Sequence, residues 1–103
     1  MCGIVGCITL GNNGININVD TFVSMNDSIA HRGPDGKGFA FFGNSFTTHE
    51  ISRLQNSRPQ ALVLSDISCG RDVFLGHRRL SILDISSNAN QPMISNDGNL
   101  VKV

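Results

Sequence analysis

The sequence predicts an α+β domain, and three observations lead there. A β-branched apolar run opens the chain at GIVGCIT (3–9), a segment with helical apolar spacing follows at 18–33, and short strand-like runs recur from residue 38 onward. The 103 residues fit one domain with a single modest core.

The elements follow in order. GIVGCIT is apolar enough for a buried strand, and GNNG (11–14) is turn chemistry, because Gly and Asn tolerate positive φ. In NVDTFVSMNDSIAHRGP the apolar Val19, Phe22, Val23, Ile29 and Ala30 recur at helical spacing; Asn18 or Asp20 can cap the start, and Gly33 with Pro34 ends the helix. GFAFF (38–42) and FTTHE (46–50) read as two strands joined by a turn at Gly43–Asn44. The polar stretch 51–60 reads as an irregular surface excursion, ALVLS (61–65) as a strand and DISCGRD (66–72) as a loop. VFLGHRRLSILD (73–84) reads as a loosely alternating strand, followed by a long loop and a last strand opening at GNLVKV.

Composition narrows the function. With 40% hydrophobic and 16% charged residues, the chain is neither disordered nor highly charged. Eight basic residues balance eight acidic ones, so no overall field draws it to nucleic acid or to an anionic membrane. No run reaches the roughly 20 apolar residues of a membrane span. The odd count of three cysteines (Cys2, Cys7, Cys69) fits a reducing, cytoplasmic setting better than a disulfide framework.

Four segments bear chemistry. Trimming of Met1 before a small residue would leave Cys2 carrying both a thiol and a free α-amine. An α-amine titrates at about 7.7–8.0, so it can move protons near neutrality without a separate histidine. By position alone the plainer alternative is a small hydrophobe opening a strand. HRGPDG (31–36) makes a tight connection in which Gly33 permits close backbone approach. In GHRRLSILD (76–84), strand alternation puts Arg79 and Ser81 on one face, and Arg78 beside Leu80 and Ile82 on the other. An arginine held there is a fork for a carboxylate, or equally a solvated arginine on an edge strand. NANQPM (88–93) is by itself a loop. Cys7 reads as core, Cys69 as a surface thiol, and His49 as exposed on a strand. Neither His31 nor His77 is assigned a proton-transfer role.

Taken together, MCGIVG, HRGPDG, GHRRLSILD and QPM resemble class II glutamine amidotransferases, and among them most closely the N-terminal glutaminase domain of glutamine-hydrolysing asparagine synthetases. Glucosamine-6-phosphate synthases and amidophosphoribosyltransferases share the first cysteine but not RGPDG or RRLSILD followed by QPM. The resemblance covers the whole chain except about 43–72, which is longer than in compact members of the family.

The resemblance implies an N-terminal nucleophile hydrolase fold, an αββα sandwich of two mostly antiparallel sheets between helical layers, incomplete in this chain. Residues 1–103 would form the front of the glutaminase domain, without its remainder or the synthetase domain. It further implies that Cys2 is the nucleophile, that Arg79 grips the α-carboxylate of L-glutamine, and that the segment Leu80, Ser81, Ile82 and Leu83 lines that pocket. The loop bearing Arg32 and Gly33 would pack near the site. No cofactor or metal is implied for this domain; ATP and Mg2+ would serve the synthetase domain, its expected partner. A homodimer is left open. An Asn-Gly-Glu segment that supplies the family's oxyanion hole does not occur in this sequence, so the piece alone is expected to be inactive. Two rival readings are a metal-binding module using Cys2, Cys7, His31 and His77, and a non-catalytic interaction domain. Within the enzyme reading, a different carboxylate acceptor is the alternative to aspartate.

Overall fold

A computed structural model of the chain describes residues 1–9, 18–43, 46–64, 72–83 and 85–103. The expected turn at 11–14, the loop at 66–71 with Cys69, and Asn44 lie outside the described residues.

The α+β class stands. Strand β1 (Gly3–Ile8) is followed by α1 (Val19–Ser28), a 3-10 turn at Ala30–Arg32, β2 (Gly36–Phe42), α2 (Thr48–Ser57), β3 (Ala61–Leu64) and β4 (Val73–Arg79). A second 3-10 turn (Ser87–Ala89) leads to the short strands β5 (Met93–Ile94) and β6 (Val101–Lys102). The first four strands form one sheet in the order β1-β4-β2-β3, and β5 and β6 pair as a separate hairpin. β4 is antiparallel to both β1 and β2, with Gly3 opposite Arg78 and Gly36 opposite Arg79, whereas β2 and β3 run parallel.

The parallel pair corrects the predicted hairpin after β2. FTTHE is not a strand: Thr47 caps a helix that continues through the stretch expected to be irregular, ending at Ser57. The Thr47 hydroxyl accepts from the Glu50 N–H while the Glu50 carboxylate accepts from the Thr47 N–H, a reciprocal capping box. A helix of ten residues is a suitable crossover between parallel strands. α1 begins where expected, with the Asn18 side chain accepting from the Asp20 N–H, and gives way to the 3-10 turn before Gly33.

The core lies on one face of the sheet. Phe22 of α1 packs against Phe39, Phe41 and Phe74, with ring centroids 5.5 to 6.5 Å apart. Phe46, just ahead of α2, joins the same cluster. Burial of a phenylalanine side chain stabilises by roughly 1.5–3 kcal/mol, so this cluster is the main support of the sheet. Both helices lie over this face, since Arg58 at the end of α2 pairs with Asp20 in the first turn of α1. Along β1, positions 3, 5 and 7 turn toward the helices, while Ile4 and Ile8 on the other face are 60% and 56% exposed. Cys7 is half-buried against the aromatic cluster, as expected for a core thiol.

Candidate functional site

The antiparallel pairing of β1 with β4 places Cys2, one residue before Gly3, beside the end of β4. The Leu80 N–H donates to Cys2 Sγ at 3.4 Å, and the thiol reaches the Leu80 carbonyl at 3.9 Å. Cys2 itself is exposed, and Met1 ahead of it is 76% exposed. A shallow groove beside the thiol is lined by Cys2, Ile4, Ile29, His31 and Arg32. Arg32 thus lies in the same groove as Cys2.

β4 ends at Arg79, so the strand alternation expected through Leu83 does not apply beyond it. The HRGPDG turn crosses the strand end and redirects the chain. A β-carbon at Gly33 would sit 2.4 Å from the Arg78 carbonyl carbon, a distance only glycine allows. From this contact the turn makes two further links: the Asp35 N–H donates to the Arg79 carbonyl at 3.0 Å, and Asp35 Oδ2 accepts from the Ser81 N–H at 2.8 Å. Of the expected pocket segment, Leu80 and Ser81 are half-buried near the thiol, while the side chains of Ile82 and Leu83 are exposed.

The two arginines part to opposite faces, as strand alternation requires. Arg78 turns to the helix side, where its Nε donates to the Gly33 carbonyl at 3.1 Å and its Nη1 pairs with Asp27 Oδ1 at 3.2 Å. It is therefore a buried strut rather than a solvated edge residue. Lys37 also reaches Asp27 Oδ1, at 3.5 Å. Arg79, equally buried, turns to the other face and donates from Nη1 to the Ser86 carbonyl and to Asn90 Oδ1, both at 2.7 Å. It holds the 86–90 loop against the end of β4.

His77 shares the face of Arg79 and is 4% exposed, with Nδ1 lacking a partner among the described residues. Burial, and then the Arg79 charge, hold its pKa below the usual histidine value. It is a neutral packed histidine. His49 is exposed, on α2 rather than on a strand. Among the described residues no three His, Cys, Asp or Glu side chains converge as metal ligands, which gives the metal-module reading no support. Nor is any helix among them long and apolar enough to cross a membrane.

Asp35 and Asn90, which touch the backbone and side chains of this region, were not singled out by the sequence reasoning, and Arg78, read there as a fork for a carboxylate, is instead tied to Gly33 and Asp27. Each belongs to a segment singled out by motif, but its role depends on which backbone groups the turn meets. No periodicity encodes that.

Comparison with known proteins gives a family for the sequence. Residues 64–103, which include β4 and Leu80, match the family described as a glutamine amidotransferase domain. The chain is 33% identical over 93 residues, 90% of its length, to the Methanocaldococcus jannaschii protein named "Putative asparagine synthetase (glutamine-hydrolyzing) 2". It spans 13% of that relative's length. No solved structure matches.

Proposed function

Because the chain carries a glutamine amidotransferase domain of the asparagine synthetase family, we propose that it hydrolyses glutamine through Cys2 and supplies the ammonia to an amidation of aspartate. The observation that carries this reading is the placement of the Cys2 thiol, by the Leu80 peptide, against the family-matched segment.

In the proposed reaction Met1, which is well exposed, is removed first. The freed α-amine then accepts the thiol proton, and Sγ attacks the side-chain amide carbon of glutamine. The tetrahedral intermediate collapses as the amine returns its proton to the leaving nitrogen. This gives ammonia and a glutamyl thioester. Water attacks the thioester carbon, the C–S bond breaks, and glutamate leaves with the thiol restored.

Arg79 compensates the substrate α-carboxylate. Its described loop acceptors include the Ser86 carbonyl and the Asn90 side-chain oxygen. A substrate carboxylate there would meet the planar guanidinium fork as a bidentate ion pair. On this reading Leu80, Ser81, Ile82 and Leu83 would line the approach, and Arg32, in the groove beside Cys2, would stand near it with Gly33. The half-exposed sheet face bearing Ile4 and Ile8 is the place where the second sheet of an N-terminal nucleophile sandwich would stack. A structure of the complete protein with that face open to water would overturn the sandwich.

In the complete protein, ATP and Mg2+ would activate the acceptor in the synthetase domain, outside the residues of this chain. The test is Cys2→Ala in that complete protein. Glutamate release from glutamine should fall at least about a thousandfold, while amidation driven by free ammonia persists. Retained glutaminase activity sinks the assignment.

A further inference from the structure

Leu80 is flanked by two peptide groups, and each is held between Asp35 and Cys2. The Arg79–Leu80 peptide accepts from the Asp35 N–H at its oxygen, at 3.0 Å, and donates from its N–H to Cys2 Sγ at 3.4 Å. The Leu80–Ser81 peptide does the reverse. Its N–H donates to Asp35 Oδ2 at 2.8 Å, and its oxygen faces the Cys2 thiol at 3.9 Å. A peptide plane is rigid, so rotating either one at its Asp35 end swings the other end relative to the sulphur.

We infer that Asp35 is a positioning residue for the Cys2 nucleophile, acting through the two peptides that touch the sulphur. This rests on the reading of Cys2 as the attacking group. The chemistry favours such an arrangement: a developing thiolate gains from a nearby N–H and loses from a nearby carbonyl oxygen. The two contacts with Asp35 keep the Leu80 N–H the nearer of the two, by the difference between 3.4 and 3.9 Å. The frame around Asp35 is stiff. Pro34 fixes the preceding backbone, and Gly33 is wedged against the Arg78 carbonyl, with its own oxygen bonded by Arg78. Asp35 is exposed, so its carboxylate contributes through placement rather than through buried charge.

Two variants in the complete protein separate placement from charge. Asp35→Asn keeps an acceptor oxygen at the same reach and drops the charge. Asp35→Glu keeps the charge and moves the oxygens out by one methylene. Misplacement of about 1 Å can cost on the order of 10²-fold in rate. Asp35→Glu is therefore expected to lower kcat for glutamine hydrolysis about tenfold or more, with KM changed less than about twofold. Asp35→Asn should stay within about threefold of the parent. Both should use free ammonia at the parental rate, which reports an intact fold.

An unchanged kcat in Asp35→Glu, an Asp35→Asn as impaired as Asp35→Glu, or a loss confined to KM overturns the inference. Cys2→Ala, assayed in parallel, separates the two readings. If it still hydrolyses glutamine, the nucleophile assignment falls and this inference with it. If it is inactive beside a fully active Asp35→Glu, the positioning role alone falls. Should a variant lose ammonia use as well, amide hydrogen exchange in the parent decides. Slow exchange at Leu80 and Ser81 supports the clasp, and exchange at the rate of an open loop overturns it.

Discussion

The backbone of Gln91 passes so close over Gly38 that a β-carbon at position 38 would lie 1.9 Å from the Gln91 carbonyl oxygen. Gly38 pairs with His77 across the middle of the sheet, so this contact seats the Gln91–Pro92 segment on the face that also bears Arg79. The QPM motif is thus a lid segment over strand backbone, and Asn90, just before it, receives the Arg79 guanidinium.

Gly38→Ala cannot be accommodated without moving Gln91. Overpacking of this kind costs about 1–3 kcal/mol, and urea unfolding should show a lower midpoint at unchanged slope. A variant with parental stability would mean that the 90–92 segment does not rest on β2.

The capping box of α2 offers a test with a pH signature. Loss of an N-cap hydroxyl in Thr47→Ala should cost about 0.5–2 kcal/mol, read by chemical denaturation near neutral pH. The Glu50 carboxyl is held below its usual range mainly by its bond from the Thr47 N–H, then by the Thr47 hydroxyl. A depressed acid stabilises the fold above its unfolded pKa and loses that contribution as pH falls through the folded value. The stability gap between parent and Thr47→Ala should therefore narrow in acid. A gap that is constant from neutral pH to pH about 3 would contradict the reciprocal box.

His77 gives the range just below neutrality its own probe. Its pKa is lowered in the fold, first by burial and then by Arg79. The unfolded chain then binds a proton more readily than the native one, so stability is full above about pH 6.5 and declines as pH falls through the folded value. His77→Gln, which cannot titrate, should remove that part of the acid slope whatever its cost at neutral pH. An unaltered slope between pH about 6.5 and 5 would show that His77 protonates freely in the native state.

Much of this architecture was legible in the sequence, for identifiable reasons. β1, β2, β3 and the start of β4 announce themselves by β-branched and aromatic runs, and α1 by its spacing and Asn18 cap. The segment at 46–57 misled because phenylalanine and two threonines favour strands. The competing signal, a threonine followed three residues later by glutamate, was present and won by satisfying two backbone groups at once. The end of β4 was invisible for a different reason. Nothing in LSIL stops a strand; Asp35, some 45 residues earlier, takes the peptide groups that a further strand pair would use. The motif containing Cys2 pointed to the site, while the residues that hold it there emerge only once the turn and strand meet.

The sheet order carries a consequence for when the Cys2 thiol reaches its place beside Leu80. β1 and β4 are neighbours in space, yet Cys2 and Leu80 are 78 positions apart. Contacts of such long separation pay the full cost of loop closure before they return anything, and they form late. A nascent or partly unfolded chain therefore carries an unpositioned cysteine at its tip. If Cys2 is the nucleophile, as proposed, the sheet would work as a molecular interlock, admitting chemistry there only after the chain from one end of the pairing to the other has closed.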